Sequence, residues 1–205
     1  MKKSQPRVVE AEEFVLKDSK GHVRARLGLK HGHPGLTLID SKGRTRAGMS
    51  LSNEGSSLAL FDAHEQIRIL AAVMGDEPTM TLYHFNGEPG AFSSLHSTGD
   101  STMVLADPAG KGRLWVKTNM LTTSLGLYDR QGKTRVNLNA DHYGTELALG
   151  DMDGNARAEL RVNEQGAHVT LLDANGTTRG SFFESGDASS LIFYDAKAKR
   201  AHKLP

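Results

Sequence analysis

Apolar and polar residues alternate in short runs along the chain, and the runs recur every 22 residues. In LGLYDRQGKTRVNL, residues 125–138, alternating leucines precede an Asp-x-x-Gly segment, and an arginine and a second alternating run follow it. A spacing of two places successive side chains on opposite faces of a β-strand. Each copy of the pattern therefore predicts two strands that share one apolar face and are joined by a turn.

Nine copies of this pattern are found by stepping from the aspartate of that segment in both directions. Their anchor residues are Asp18, Asp40, Asp62, His84, Asp107, Asp129, Asp151, Asp173 and Asp195. One step, from His84 to Asp107, is 23 residues long. We expect the extra residue in the segment HSTGDST, residues 96–102, because an insertion in a loop costs little free energy.

The Asp-x-x-Gly segment predicts a tight hairpin turn. Asp hydrogen-bonds turn amides, and Gly supplies the positive φ of a type I turn followed by a bulge. The predicted turn residues are Asp18, Gly21, Asp40, Gly43, Asp107, Gly110, Asp129, Gly132, Asp151, Gly154, Asp173 and Gly176. Pairing about this turn is expected to set the residue four before the aspartate opposite the residue seven after it.

The predicted fold is all-β: nine two-strand repeats in an antiparallel hairpin meander that curls or packs on itself. The alternative is a two-sheet parallel β-solenoid. There the recurrent arginines would stack every ~4.8 Å and repel by roughly 1 kcal/mol per exposed pair, which favours the meander. We expect an N-terminal arm over residues 1–12 and a single repeat domain over residues 13–205.

The charge balance and the absence of cysteine limit the functions that this chain could have. Lys and Arg number 25 against 24 Asp and Glu, so the balance does not suggest nucleic acid as a partner. The absence of cysteine excludes disulfides, thiolate metal sites and a cysteine nucleophile. Neither a secretory signal nor an apolar run long enough to span a membrane is found, so a cytoplasmic location is the default, with export by a dedicated apparatus left open.

Candidate chemistry is sparse. DMDGN, residues 151–155, is similar to the start of a calcium loop, but the distal glutamate of such a loop is missing, and the other copies have a turn here. His31 and His33 lack further ligands for a zinc site. We therefore predict no catalytic residue, no cofactor and no metal.

Aromatic residues and arginines on the polar face are the candidate binding residues. They are Arg113, Trp115, Tyr128, Arg135 and Tyr194. Such a row could stack on sugars or bases, and cross-strand packing between neighbours is the simpler interpretation.

VVEAEEFVLKDSKGHVRARLGL and the following PGLTLIDSKGRTRAGMSL resemble a group of bacterial repeat proteins built on L-x-L-x-D-x-x-G-x-x-R-A-x-L. LYDRQGKTR is more weakly similar to the tyrosine-aspartate repeats of large bacterial shell proteins, which are antiparallel β structures. The first resemblance implies a structural or surface-assembly role, without catalytic residues.

The repeated apolar face itself leads to the functional prediction. One repeat cannot bury enough apolar surface to offset its ordering entropy, so the face needs a partner surface. We therefore expect a non-enzymatic, self-assembling homo-oligomer. The alternative is a repeat-built binding module for a glycan or another cell-surface ligand.

Overall fold

The computed structural model describes residues 8–186, 188–197 and 199–204, and of Lys203 the backbone only. These residues form eighteen strands and no helix, which confirms the all-β prediction. The chain divides into two compact units, Met1–Gly87 and Glu88–Pro205. The predicted arm over residues 1–12 and the predicted single domain over residues 13–205 stay predictions, and residues 1–7 of that arm lie outside the described residues.

The first unit contains seven strands. They are β1 (Glu13–Lys17), β2 (Val23–Lys30), β3 (His33–Ile39), β4 (Thr45–Leu51), β5 (Gly55–Phe61), β6 (Ile67–Met74) and β7 (Glu77–Tyr83). Within the unit, each strand pairs antiparallel with the next one, from β1 to β7. This is a meander of hairpins, as the alternation predicts.

The second unit contains eleven strands. They are β8 (Pro89–Leu95), β9 (Ser101–Ala106), β10 (Gly112–Thr118), β11 (Thr122–Tyr128), β12 (Thr134–Asp141), β13 (Gly144–Gly150), β14 (Ala156–Asn163), β15 (Gly166–Leu172), β16 (Thr178–Ser185), β17 (Ala188–Tyr194) and β18 (Arg200–Leu204). Consecutive strands again pair antiparallel. The described pairings therefore confirm the meander and exclude the parallel solenoid.

The Asp-x-x-Gly turn has one geometry wherever it occurs in the described hairpins. In the turn at Asp129, the backbone N–H of Asp129 donates to the carbonyl of Lys133 at 2.9 Å, and Gly132 donates back to Asp129 at 3.0 Å. Gly132 has a φ of +84°, a conformation that residues with a Cβ rarely adopt. The turn residues thus close a five-residue link between the strands.

The register differs from the expected one by two residues. Leu127, two before its aspartate, lies opposite Val136, which is seven after it, and Tyr128 lies opposite Thr134. Arg135 falls between these pairs and is the extra residue of a β-bulge. The expected pairing of the fourth residue before with the seventh after was therefore wrong, although both residues do lie on the apolar face. Nothing in the sequence distinguishes this bulged arginine from an arginine in a regular strand.

The 23-residue step is explained by the link between β8 and β9. There His96 N–H donates to the Asp100 carbonyl at 2.8 Å and Gly99 donates to His96 at 2.9 Å, as in an Asp-x-x-Gly turn. The corresponding link between β10 and β11 is shorter by one residue, with Asn119 donating to Thr122. The extra residue therefore lies within HSTGDST. It gives the β8–β9 link the geometry of an Asp-x-x-Gly turn in place of the shorter turn found between β10 and β11.

Burial is low throughout the described residues. Ala72 is their only buried hydrophobic residue, and the buried polar residues are Thr81, Ser94 and Ser190. All four lie on the polar face, where small side chains are covered by longer neighbours. The leucines predicted as core do not form a core within this chain.

Candidate functional site

Two rows of apolar side chains cross the strands of each unit. In the first row, the residue two before each turn anchor pairs with the residue seven after it; in the second row, the residues four before and nine after are paired. The first row comprises Leu16, Ala25, Leu38, Ala47, Leu60, Ile69 and Leu82 in the first unit, and Ala91, Leu105, Leu114, Leu127, Val136, Leu149, Ala158, Leu171, Gly180, Phe193 and His202 in the second. Neither row contains Asp, Glu, Lys or Arg in the described strands. Together they form the apolar face.

Large side chains of the apolar face are exposed to solvent in both units. The exposed fraction is 55% for Met49, 50% for Met103 and 53% for Leu171, all of which lie on strands that are paired on both sides. Their exposure is therefore not an end effect of the sheet. Exposed apolar faces of this kind are typical of interaction surfaces.

The accessible surface of the chain is correspondingly large. It amounts to 14826 Å², against about 9,400 Å² for a compact monomer of this mass and about 11,000 Å² for two separately compact units. A standard interface needs only about 800 Å² from each partner. The surplus surface is thus sufficient for a large interface.

The first apolar row alternates between large and small side chains. Strands before a turn contribute leucine or phenylalanine, as at Leu38 and Leu149, whereas strands after a turn mostly contribute small residues, as at Ala47 and Ala158. Strands are ~4.8 Å apart, so a second copy shifted by one strand would place its leucines over the alanines of the first. The row is self-complementary in shape.

Each turn aspartate is fixed by the turn that it shapes. Asp129 Oδ1 accepts the backbone N–H groups of Gln131 at 2.8 Å and Lys133 at 2.9 Å. Its Oδ2 lies 3.0 Å from Arg135 Nη2, since the bulge directs that side chain back toward the turn. The aspartate and the arginine of one repeat are therefore a single structural unit.

The bulge arginines also join neighbouring hairpins. Arg135 Nη1 donates to the backbone carbonyl of Asp151, the next turn anchor. Arg46 Nε donates to Phe61 at 3.1 Å, and Arg157 Nε donates to Leu172 at 2.9 Å. We call Arg46, Arg68, Arg135 and Arg157 the clamp arginines, because each connects its own turn to the next. Sequence analysis placed these residues on the polar face but did not identify this role.

Contacts within the turns lower the pKa of several turn aspartates. For Asp40 the hydrogen bond from the Arg44 guanidinium, 2.8 Å from Nε, is the largest cause, and it holds the pKa well below the ordinary value. For Asp62, Asp129 and Asp173 the pKa is lowered chiefly by backbone N–H donors of the turn. The turn contacts therefore favour the ionised form of these carboxylates.

Four of the five candidate binding residues lie close together on β10–β12, and Tyr194 lies apart from them at the end of β17. Trp115 lies opposite Gly126 on the neighbouring strand. The Tyr128 ring also covers Gly126, since a Cβ there would lie 2.7 Å from the phenol oxygen. The Trp115 ring covers Gly112 in the same way, so each ring packs over a glycine of its own strand.

The two arginines of this set already have carboxylate partners. Arg113 Nη1 lies 3.7 Å from Asp107 Oδ2, and Arg135 pairs with Asp129 as described above. Lys117 Nζ lies 4.7 Å from the centre of the Trp115 ring. The group is held together by its own contacts.

Of the residues considered as metal ligands, Asp151 and His31 lie in turns and His33 is the first residue of β3. Asp151 Oδ1 accepts the backbone N–H groups of Asp153 at 2.9 Å and Asn155 at 3.0 Å, and Oδ2 pairs with Arg157 at 3.3 Å. His31 has a φ of 54° in the link between β2 and β3. No group of three metal-ligating side chains occurs within the residues that the structure describes.

Comparison with known proteins identifies no family for this chain: no family model matches it, and no match is found among curated proteins. None of the described residues belongs to a helix long and apolar enough to cross a membrane.

Proposed function

We propose that this chain is a non-enzymatic structural protein that self-assembles through its apolar face. The observation that carries the proposal is the exposure of the apolar rows across strands that are otherwise fully paired. A face without charged residues, exposed in every hairpin, is stable in water only when another surface covers it.

A second copy of the chain is the occupant that this face fits best. Large and small residues alternate over much of the first row, with Ile69 and Leu114 among the exceptions, so a second copy offers protruding and recessed side chains at the same spacing. Two sheets packed face to face lie ~10 Å apart and interdigitate their inner side chains. The surplus accessible surface exceeds what a stable interface needs from each partner.

Replacing a row residue by lysine tests the proposal. Leu138, 43% exposed, lies in the second apolar row, and the adjacent Asn139 lies on the polar face opposite Glu146. Leu138→Lys is expected to shift the protein to smaller species in light scattering at micromolar concentration, because a charge at the centre of an apolar interface is not solvated. Asn139→Lys, the matched control, is expected to leave the oligomer unchanged.

The melting temperature provides a second readout. For the natural sequence it should rise with protein concentration, since association stabilises the folded chain by mass action. Leu138→Lys should remove that dependence. A natural sequence that is monomeric by light scattering, with a concentration-independent melting temperature, would show the proposal to be wrong.

Binding of a glycan or another cell-surface ligand by the polar face stays a prediction. A groove of about 410 Å³ beside the Arg161–Glu146 ion pair, lined also by Asn139 and Tyr143, is one place where such a ligand would fit. We favour self-assembly, because the aromatic residues and arginines predicted to bind are engaged within the sheet.

A further inference from the structure

The two outermost strands of the chain expose unpaired edges. Among the described strands of its own unit, β1 pairs only with β2, and β18 likewise pairs only with β17. The two edges are not equivalent, since β1 precedes a turn and β18 follows one. A strand that follows a turn pairs, inside the chain, with a strand that precedes the next turn, as β12 does with β13.

The register between neighbouring repeats extends beyond the chain to a second copy. Within the chain, Val136, which is seven residues after one anchor, lies opposite Leu149, which is two residues before the next anchor. Leu138, nine residues after the first anchor, likewise lies opposite Leu147, four residues before the second. The same offsets place His202 of β18 opposite Leu16 of β1 in another copy, and Leu204 opposite Phe14. The apolar rows would continue across this junction, and both strands are five residues long.

The outer edge of β1 presents backbone groups to a partner. Asp18 donates its N–H to His22 on the side of β2, at 2.9 Å. Backbone groups alternate in direction along a strand, so those of Lys17, Val15 and Glu13 point away from β2. Exposed edges of this kind pair readily with other strands.

The charges near the two edges are opposite. In residues 10–18, around β1, four carboxylates stand against the single Lys17, and in residues 195–204, around β18, four basic residues stand against the single Asp195. The carboxylates are Glu10, Glu12, Glu13 and Asp18, and the basic residues are Lys197, Lys199, Arg200 and Lys203. Pairing of β1 with β1, or of β18 with β18, would bring like charges together. Pairing of β18 with β1 brings opposite charges together, which favours head-to-tail contact.

We infer that copies of this chain join head to tail, with β18 of one copy pairing antiparallel with β1 of the next and extending the sheet. The contact is heterologous, so it generates open filaments or closed rings and not a symmetric dimer. The inference deepens the proposed self-assembly and rests on it, but it uses the strand edges and not the apolar face.

Disulfide crosslinking tests this register directly, because the natural sequence has no cysteine. Leu16→Cys and His202→Cys are prepared as separate proteins and mixed under mild oxidation, so that any heterodimeric disulfide joins two molecules. The predicted pair is not hydrogen-bonded, and its Cβ atoms should be about 4.5–5.5 Å apart. We expect the mixture to give mainly the mixed disulfide, identified by mass spectrometry.

Phe14→Cys mixed with His202→Cys is the matched control, because a diagonal pair lies about 7–8 Å apart and should crosslink several-fold less. Equal crosslinking of the two mixtures, or mainly Leu16→Cys homodimers, would overturn the proposed register. If the natural chain assembles but crosslinking fails, the head-to-tail inference is wrong while self-assembly stands. If the natural chain does not assemble at all, both are wrong.

An edge-blocking variant provides a second test. Val15→Pro removes an N–H that points away from β2, a position at which an edge strand tolerates proline. Light scattering should show loss of the largest species with an unchanged circular dichroism spectrum, whereas Val15→Ala should assemble as the natural chain does. Undiminished assembly of folded Val15→Pro would overturn the inference.

Discussion

At the scale of single residues, a clamp arginine six residues after its turn aspartate links neighbouring hairpins. It occupies a β-bulge, which turns its side chain toward the carboxylate of its own turn and the backbone carbonyl of the next. A hydrogen bond from a charged guanidinium to a backbone carbonyl stabilises the fold more than one from a neutral donor, because hydrogen bonds with an ionised partner are stronger. The exposed ion pair on its own contributes little.

Arg135→Ala is therefore expected to lower the free energy of unfolding by about 1–3 kcal/mol, through loss of the bond to the Asp151 carbonyl. Arg135→Lys should recover only part of this, since a lysine cannot contact the aspartate and the carbonyl with a planar fork. Urea unfolding followed by circular dichroism measures both changes. Arg130→Ala, at an exposed position of the same turn, is the control and should have little effect. An Arg135→Ala protein as stable as this control would contradict the clamp.

The turn aspartates predict how stability depends on pH. Their pKa values in the folded chain lie below the ordinary value of 3.8, so their contribution is fully present above about pH 4 and is lost as the pH falls below it. The melting temperature should therefore fall as the pH is lowered from about 4 to 2. Asp40→Asn, which removes one ionised carboxylate, should make this fall less steep. A melting temperature that does not change below pH 4 would show that the carboxylates are not needed.

At the scale of elements, the repeating unit is a hairpin with a fixed relation to the next hairpin. Deleting residues 130–151 removes one 22-residue period and joins Asp129 to Met152, which leaves an Asp-x-x-Gly turn in place. Because each hairpin pairs only with its neighbours, we expect a folded protein with a lower urea midpoint. Circular dichroism should retain its β signal. Deleting residues 130–140 removes a turn and β12, so it should disrupt folding, and equal tolerance of both deletions would contradict the repeat structure.

The strands and turns could be predicted from the sequence because each depends on local chemistry. The alternation around Leu125 and Leu127 defines strand faces, and the Asp129–Gly132 spacing defines a turn. The bulge at Arg135 could not be predicted, since nothing in the sequence distinguishes a bulged arginine from one in a regular strand. It accounts for one of the two residues by which the expected register was wrong, and the pairing of Asp129 with Lys133 across the five-residue turn accounts for the other. The clamp bonds depend on the distance between turns, which no local pattern contains.

At the scale of the whole molecule, the sequence predicts an apolar face but not what covers it. The alternation places Met49 and Leu171 on the apolar face, together with the apolar residues of the adjacent strands. Residues in such a pattern are usually expected to form a core. In the structure they remain exposed, because the meander is one layer thick within each unit. Only the exposed surface and the free edges of β1 and β18 indicate where a partner would bind.

The pairing of strands that are consecutive in the chain has a consequence for how the protein folds. Each hairpin closes a loop of only a few residues, so the entropy lost on closure is small and contact order is low. A hairpin such as β2–β3 needs no residue from the C-terminal half to complete its hydrogen bonds. During synthesis the N-terminal hairpins are thus able to fold as they leave the ribosome, and later hairpins add to an edge that is already formed.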